Sequence, residues 1–525
     1  MTRGATASRP LVIGGRGSAL SRIQAVLVGD ALQRAHPGLE VRYAFSAAPA
    51  DLPYAEAGDV PMPAHATTPI GTINRGGGFA VHLHGQLDAG DIDLAVHSWK
   101  DLPLPERAAT TIEATLPRAD ARDLLVFSRE ALRRFAAGEG DGVLRVLSCS
   151  ARRRSNLAPF LQWALPFRPR AVEFPPVRGD IERRLAALHA GRGHAVVIAK
   201  AALDRMLLAP TPQFDATRAR VRAALERCRI MVVPLAANPA APGQGALAIE
   251  MRRDRADLRE LLAPINDGAT FRLVKAERSR LAALGDDDTP VGITALDLGF
   301  GDVEFFGGEY QGRRIDEVGL RRHAALPRPR AAGAVWCGDA PGADPFRRLP
   351  LEPATPATDP ATGLLVARAE ALPPHWTPHE LQCLWTPGLV TWRRLAARGI
   401  WVNGSDESLG ETGAADVRHY FPALTRWIKL SHEAGFDPAR AELLPTYRLE
   451  RVRAPLDVGA HTHFFWTSGS QFLEYLRAMP GLAHAALHGC GPGNTLRQLR
   501  ATLGAQAPNV RPFLSAAQFR RELLA

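Results

Sequence analysis

Short apolar runs, each followed by a turn or an amphipathic stretch, recur along this 525-residue chain. Few architectures accept that pattern, because strand-then-helix repeats pack as largely parallel sheets in the α/β class. Leu11 to Gly15 reads as a first strand, and the turn GGRGS passes into a helix with Leu20, Ile23, Val26, Leu27 and Leu32 on one face. Ser18 and the free N–H groups of that helix start form a small anion site, although the turn lacks the full glycine fingerprint of nucleotide folds. LRVLSCS then reads as a strand, ARRRSNLAPFL as a helix start, AVEFPPV as a strand, and RGDIERRLAALHAG as a helix ended by Gly191. AVVIAKAAL returns as strand and helix, and a third unit follows Pro239 with a helix from Ala269 to Leu284. Beyond it, GLLVARAE, LQCLWTPG, GIWVNGSDESLGE, AELLPTYRLERV, HFFWTSGSQFLEYL and LHGCGPGNTLRQL repeat the alternation.

A chain of this length holds roughly three or four domains of about 150 residues. The Pro/Ala-rich stretch from Ala47 to Pro69 is expected to be a loop, and Pro327 to Thr362 a linker or edge between two halves. The net charge of +10 raises nucleic acid as a partner. The arginines are scattered, however, and no basic and aromatic run forms a DNA or RNA motif, so acidic small ligands are the better expectation. Apolar runs fall well short of the roughly 18 residues needed to cross a membrane, and LVIGG is too brief for a signal-peptide core. Cys149, Cys228, Cys337, Cys383 and Cys490 share no metal or disulfide spacing, so the expectation is a reducing cytosol and no metal centre.

The chemistry concentrates in IDLAVHSWKDLPLP, from Ile92 to Pro105. Ile92, Leu94 and Val96 alternate as in a strand, Pro103 and Pro105 stop it, and His97, Ser98, Lys100 and Asp101 are delivered at its end. Asp101 alone reads equally as a turn carboxylate. Only Lys100, Lys200, Lys275 and Lys429 are lysines among 64 Lys plus Arg, so a lysine here runs against a strong bias. Arg152, Arg153 and Arg154 follow a strand, and Arg178 and Arg184 bracket the turn RGDIERR. Guanidinium forks at strand-to-helix junctions suit carboxylates, against the plainer reading of a solvated face.

From residue 10 to about 325 these segments resemble, in order, the porphobilinogen deaminase (hydroxymethylbilane synthase) family. IDLAVHSWKDLP is similar to its active-site strand and loop, RGSALSRIQA to its first-helix motif and SARRRSNL to its twin-arginine motif. VRGDIERRL is similar to its RGN-x-x-x-RL motif and APGQGALAIEMR to its GQGA-x-x-IE motif. The resemblance, covering 1–325, implies two periplasmic-binding-protein-like lobes, about 10–105 with 200–238 and 106–199, and a small α+β third domain at 239–325. It implies that Asp101 holds pyrrole N–H groups and stabilises a cationic azafulvene as ammonia leaves, with Lys100 beside it. Arg16, Ser18, Ser98, Arg152, Arg153, Arg178 and Arg184 would hold acetate and propionate groups.

The family's dipyrromethane cofactor is carried on a cysteine through a thioether. Here that turn reads GDDDTPVG, with Asp287 at the cysteine position, and the family's loop lysine falls on Val81. A carboxylate cannot form that thioether. Cys149, beside the arginines, is the alternative anchor against its plainer reading as a core cysteine.

After a linker at 326–361, residues 362–525 resemble the uroporphyrinogen-III synthase family, a two-lobed α/β fold. TYRLERV, FFWTSGSQFLEYL and GCGPGNTLRQL carry that likeness. It implies Tyr447 as proton donor, with Ser468, Ser470 and Thr495 at helix starts that cradle carboxylates. Simple helix capping is the other reading of those starts. The expected function is tetrapyrrole (haem) biosynthesis in the cytosol by a fused pair: porphobilinogen condensed to hydroxymethylbilane, then cyclised to uroporphyrinogen III. The alternative is a deaminase half that binds a tetrapyrrole or another polycarboxylate without making it. No nucleic-acid or membrane partner is expected.

Overall fold

Strand β1 (Leu11–Arg16) is apolar on both faces because it runs through the middle of a sheet covered on both sides. It opens a computed structural model that describes residues 9–46, 81–209, 211–285, 289–352, 358–410, 416–435 and 441–524. The expected loop at 47–69 and Asp287 lie outside these residues. The chain divides into two units. Unit 1 is Met1–Gln162, Pro169–Asp297 and Val303–Gly319, and unit 2 is Trp163–Arg168, Leu298–Asp302 and Leu320–Ala525.

In unit 1, β1 is followed by β2 (Val41–Ser46), β3 (Leu94–Ser98), β4 (Thr110–Ala114), β5 (Asp123–Ser128), β6 (Val143–Leu147) and β7 (Ala171–Glu173). Then come β8 (Ala195–Ala199), β9 (Cys228–Val233) and β10 (Leu247–Arg252). The described residues form two five-stranded sheets of matching design, β2-β1-β3-β10-β4 and β7-β6-β8-β5-β9. In the first, β1 is parallel to β2 and β3, while β10 runs antiparallel to β3 and β4. In the second, β6 is parallel to β7 and β8, while β5 runs antiparallel to β8 and β9. Each reversed strand arrives from the other sheet, so the chain crosses twice, between β4 and β5 and between β9 and β10.

The crossings redraw the expected lobe boundaries. Strand β4 belongs to the first sheet although it follows residue 105, β9 belongs to the second although it lies within 200–238, and β10 joins the first rather than the third domain. Sheet membership follows hydrogen-bond partners distant in sequence, which a linear reading does not see. The third element is a sheet of β11 (Val291–Asp297), β12 (Gly301–Tyr310) and β13 (Arg313–Arg322). Helix Gly268–Ala283 precedes it, with Leu281 packed against Val291, Ile293 and Phe306.

Local chemistry sets the helix ends. Ser18 caps helix Ala19–Ala35 by accepting from Ser21 N at 3.4 Å, and Ala25, Val28 and Leu32 pack on Ile13, Leu94, Val96 and Ile249. Asp180 caps helix Ile181–His189, accepting from Arg183 N at 2.8 Å, and Gly191 follows with a φ of 76°.

Unit 2 holds two further sheets. Its strands are β14 (Val335–Cys337), β15 (Phe346–Pro350), β16 (Thr362–Val366), β17 (Leu384–Thr386) and β18 (Gly404–Ser405). These are followed by β19 (Arg426–His432), β20 (Glu442–Arg451), β21 (His463–Trp466), β22 (Leu487–Cys490) and β23 (Val510–Pro512). Their orders among the described residues are β15-β20-β19-β16-β17-β18 and β14-β21-β22-β23. All recorded pairings are parallel except β15 with β20. The segment 326–361, expected to be a linker, instead supplies β14 to one sheet and β15 to the other. Its Pro/Gly content marks the turns between short strands rather than a free tether. Trp336 of β14 is fixed against Phe464, Trp466 and Tyr475 in the core.

Candidate functional site

At the end of β3 the chain makes one short helical turn, Trp99–Asp101. Trp99 is fully buried against Phe271, with ring centroids 5.3 Å apart, and this anchor fixes the direction of the two charged residues after it. Asp101 lines a cavity of about 70 Å³ with Arg16, Ser18, Gln24 and Ser98. The walls are held in place: Ser98 Oγ accepts from Gln24 Nε2 at 3.0 Å, and Ser21 Oγ accepts from Arg16 N at 2.9 Å. Among the described residues no side chain hydrogen-bonds or ion-pairs with the Asp101 carboxylate, which is half-buried.

Lys100 points elsewhere. Its Nζ donates to Gln244 Oε1 at 3.0 Å, and burial pushes its ammonium down to about 8 against the pull of the neighbouring Asp101 carboxylate. Gln244 continues the chain of contacts, its Nε2 donating to Ala121 O at 2.6 Å and Asp123 Oδ1 at 3.0 Å. The carboxylate of Asp123 is fully buried and accepts from Arg152 Nη2 and Arg153 Nε, both at 3.0 Å, and from Arg153 Nη2 at 2.6 Å. Asn238 Nδ2 adds a contact at 2.9 Å. Burial raises this carboxyl's pKa, but the guanidinium charges outweigh it and hold the group well below the usual carboxylate range.

Both twin arginines are thus buried and fastened to Asp123, and Arg152 also donates to Asn238 Oδ1 and Pro239 O. These contacts engage them at the crossing between the sheets, where they were expected to face ligand carboxylates. Arg184 is half-buried and donates Nε to Gly179 O at 2.8 Å. Its pKa is lowered by burial first and by the like charge of Arg153 next, with Cys149, Asp101 and Asp180 acting the other way. Arg178 is exposed, before Gly179 with its φ of 103°. Cys149 is half-buried and donates its thiol hydrogen to Val177 O at 3.1 Å. Val81, where the resemblance led one to expect the family's loop lysine, starts helix Val81–Ala89 and is 57% exposed.

Unit 2 carries a larger cavity of about 360 Å³, lined by Tyr447, Ser468, Ser470 and Thr495 together. It opens where parallel strands end: Arg368 follows β16, Pro387 follows β17, His432 closes β19, Thr467 follows β21 and Gly491 follows β22, with Lys429 reaching it from the middle of β19. Ser468 caps helix Gly469–Ala478, accepting from Gln471 N at 3.2 Å, so its hydroxyl serves the helix as well as the cavity. Tyr447 is buried, its ring centroid 5.8 Å from that of His432. Burial first, then Arg368, Lys429 and Arg348, lower the His432 pKa. Arg348, Arg368 and Lys429 line the same cavity, although Arg348 also binds Asp344 at 2.8 Å.

Residues 11–260 match a family model described as "Porphobilinogen deaminase, dipyromethane cofactor binding domain". The porphobilinogen deaminase of Nocardia farcinica is 36% identical over 322 residues, 61% of this chain and 78% of the relative. That of Roseiflexus sp. is 33% identical over 321 residues, 59% of this chain and 92% of its own length. The chain belongs to the porphobilinogen deaminase family. Among solved structures, the periplasmic VFT2 domain of BvgS from Bordetella pertussis aligns with 51% of this chain and 92% of its own, at 14% identity and a TM-score of 0.25. Asp101, Arg16, Ser98 and the Asp123 cluster of this family member all fall inside the matched span, whereas Asp287 lies beyond it.

Asp123, Asn238 and Gln244 are the residues that reading the sequence missed. Gln244 stood inside the quoted APGQGALAIEMR, and its glycines carry a usable signal. Gly245 has a φ of 90°, and a Cβ there would meet Ala119 O at 2.3 Å. The two crossing segments therefore approach so closely at this point that only glycine fits.

Proposed function

We propose that unit 1 condenses porphobilinogen units into the linear tetrapyrrole with loss of ammonia, around Asp101. The observation that carries this is a carboxylate that no side chain among the described residues bonds, lining a cavity with Arg16, Ser18 and Ser98, while the neighbouring carboxylate Asp123 is consumed by two arginines. As ammonia leaves the aminomethyl carbon, that carbon stays on the pyrrole and positive charge develops over the ring, where the fixed carboxylate stabilises it. Asp101 also offers acceptor oxygens to the pyrrole N–H. Lys100, its pKa lowered to about 8, holds Gln244 behind this loop and does not line the cavity. Arg16 and Arg184 supply the positive charge that substrate carboxylates need, with Arg178 at the open edge.

The dipyrromethane group named for the family model does not fit this chain as a thioether at position 287, where Asp287 offers no sulfur. Cys228, Cys337, Cys383 and Cys490 are buried, and the Cys149 thiol is directed to a backbone carbonyl. That mismatch favours a second reading, in which unit 1 binds a tetrapyrrole or another polycarboxylate without turning it over.

For unit 2 we propose cyclisation of the linear product to uroporphyrinogen III. Support comes from the gathering of Tyr447, Ser468, Ser470, Thr495 and several cations around one cavity at strand carboxyl ends.

Incubating the full chain with porphobilinogen, and separately with preformed hydroxymethylbilane, tests both units when products are assigned as type I or type III isomers. Porphobilinogen consumption that disappears in Asp101→Asn supports condensation, and consumption unchanged in that variant refutes the role of Asp101. No consumption, together with saturable binding of hydroxymethylbilane, selects the second reading. An excess of type III over the spontaneous type I product supports unit 2, and type I alone counts against it. Intact mass shows whether any pyrrole adduct is carried.

A further inference from the structure

The face of the first sheet turned away from helix Ala19–Ala35 holds three titratable groups, of which His97 also lines the Asp101 cavity. His84 comes from helix Val81–Ala89, His97 from β3 and Glu250 from β10. The antiparallel register pairs Ala95 with Glu250 and His97 with Ala248, so His97 and Glu250 stand diagonally on one face. Nε2 of His84 and Nε2 of His97 lie 3.1 and 3.0 Å from the same oxygen, Glu250 Oε2. The three donor atoms all lie within 4.8 Å of one another. The other carboxylate oxygen is occupied, because Oε1 accepts from Thr110 Oγ1.

Two features separate this trio from an ordinary buried hydrogen-bond cluster. His97 is 7% exposed, and its Nε2 is out of line for a hydrogen bond to any described neighbour despite its short distance to Glu250. The His97 nitrogen therefore pairs electrostatically with the carboxylate without completing a well-aligned hydrogen bond, the arrangement an ion held between the two would satisfy. Second, Glu250 is 4% exposed, yet among the described residues no arginine or lysine ion-pairs with it. A buried carboxylate flanked by two imidazoles and a hydroxyl, with no guanidinium or ammonium on it, is suited to a cation held between it and the rings.

We propose that His84, His97 and Glu250 bind one divalent transition-metal ion, with zinc as the best match. Two imidazole nitrogens and one carboxylate oxygen form a donor set suited to zinc, at metal–ligand distances of about 2.0–2.2 Å. Donors about 3 Å apart span an edge of such a coordination shell. Thr110 is the outer partner that turns the carboxylate so that Oε2 faces both histidines. The ion clamps helix Val81–Ala89 onto β3 and β10, directly behind the strand end that presents Ser98 and Asp101. No spacing rule finds this site, because its ligands stand at positions 84, 97 and 250 on three elements.

The test uses the full chain, stripped by chelator and titrated with zinc chloride against a chromophoric competitor, with bound metal counted by mass spectrometry. One tight equivalent is expected in the wild type and in His82→Ala, an exposed neighbour on the same helix. His84→Ala should weaken it by about a hundredfold and Thr110→Val by about tenfold or more. X-ray absorption of the loaded wild type should show imidazole and oxygen scattering without sulfur, a readout that does not depend on any variant folding. Absence of a tight equivalent in the wild type overturns the proposal, as does retention of full affinity in a folded His84→Ala or a sulfur-dominated shell.

Discussion

Asp123 offers the sharpest test, because two carboxylates on neighbouring segments are assigned opposite roles. Asp123→Asn keeps the side-chain shape and removes one charge. It leaves Arg152 and Arg153, 7% and 8% exposed, without the carboxylate that each touches at 2.6–3.0 Å. Breaking a buried pair by removing one partner costs about 3–5 kcal/mol. At 1.36 kcal/mol per decade this is roughly two to four decades in the opening equilibrium. Hydrogen exchange of peptides from β5 and β8 is the right assay, since Trp99 is the one tryptophan in unit 1 and fluorescence reports mainly on unit 2. Protection of those strands should fall by about a hundredfold or more, while Asp101→Asn leaves it unchanged. The pH dependence has a definite sign. The Asp123 carboxyl is held below its unfolded value of about 3.9, so its stabilisation is complete above pH 4 and is withdrawn as the pH falls below that. The difference between wild type and Asp123→Asn should therefore shrink on acidification below pH 4. Protection in Asp123→Asn within threefold of wild type at pH 7 would refute the fastened-arginine reading and free Arg152 and Arg153 for ligand.

Three further outcomes follow from the same geometry. Acylation of Lys100, followed by peptide mass, should rise with a midpoint near pH 8, as its lowered pKa requires; a midpoint at 10 or above contradicts the burial argument. Gly245→Ala forces a Cβ onto Ala119 O at a φ of 90° and should destabilise the crossing by about 1–3 kcal/mol, read as lost exchange protection in β5 and β10; unchanged protection refutes the close approach. Ser468→Ala removes the cap of helix Gly469–Ala478 at a cost of about 1 kcal/mol, and it should also raise the KM for hydroxymethylbilane if that helix start faces substrate carboxylates. A stability loss with an unchanged KM would assign Ser468 to capping alone.

Much of the local structure was legible because short-range chemistry specifies it. The cap at Ser18, the stop at Gly191, the helix expected from Ala269 to Leu284 and found at Gly268–Ala283, and the strand running into Trp99–Asp101 all depend on residues a few positions apart. Tyr447, Ser468, Ser470 and Thr495 share one cavity, the last three following strands β21 and β22 and Tyr447 reaching it from within β20 of the other sheet. Strand lengths were less legible. AVEFPPV yields only the three residues of β7 before its prolines, and GIWVNGSDESLGE only the two of β18.

By itself, then, the sequence determined the strand and helix alternation, the helix ends and the presence of Asp101 at the end of a buried strand. Tertiary structure alone decided which charges meet. It tied Arg152 and Arg153 to Asp123, gave β10 to the first sheet and β9 to the second, turned an expected linker into strands of two sheets, and brought His84 and His97 to Glu250. The physical reason is that a buried charge is governed by whatever stands within about 4 Å of it. In a chain that crosses twice between sheets, those neighbours lie tens to hundreds of residues away in sequence.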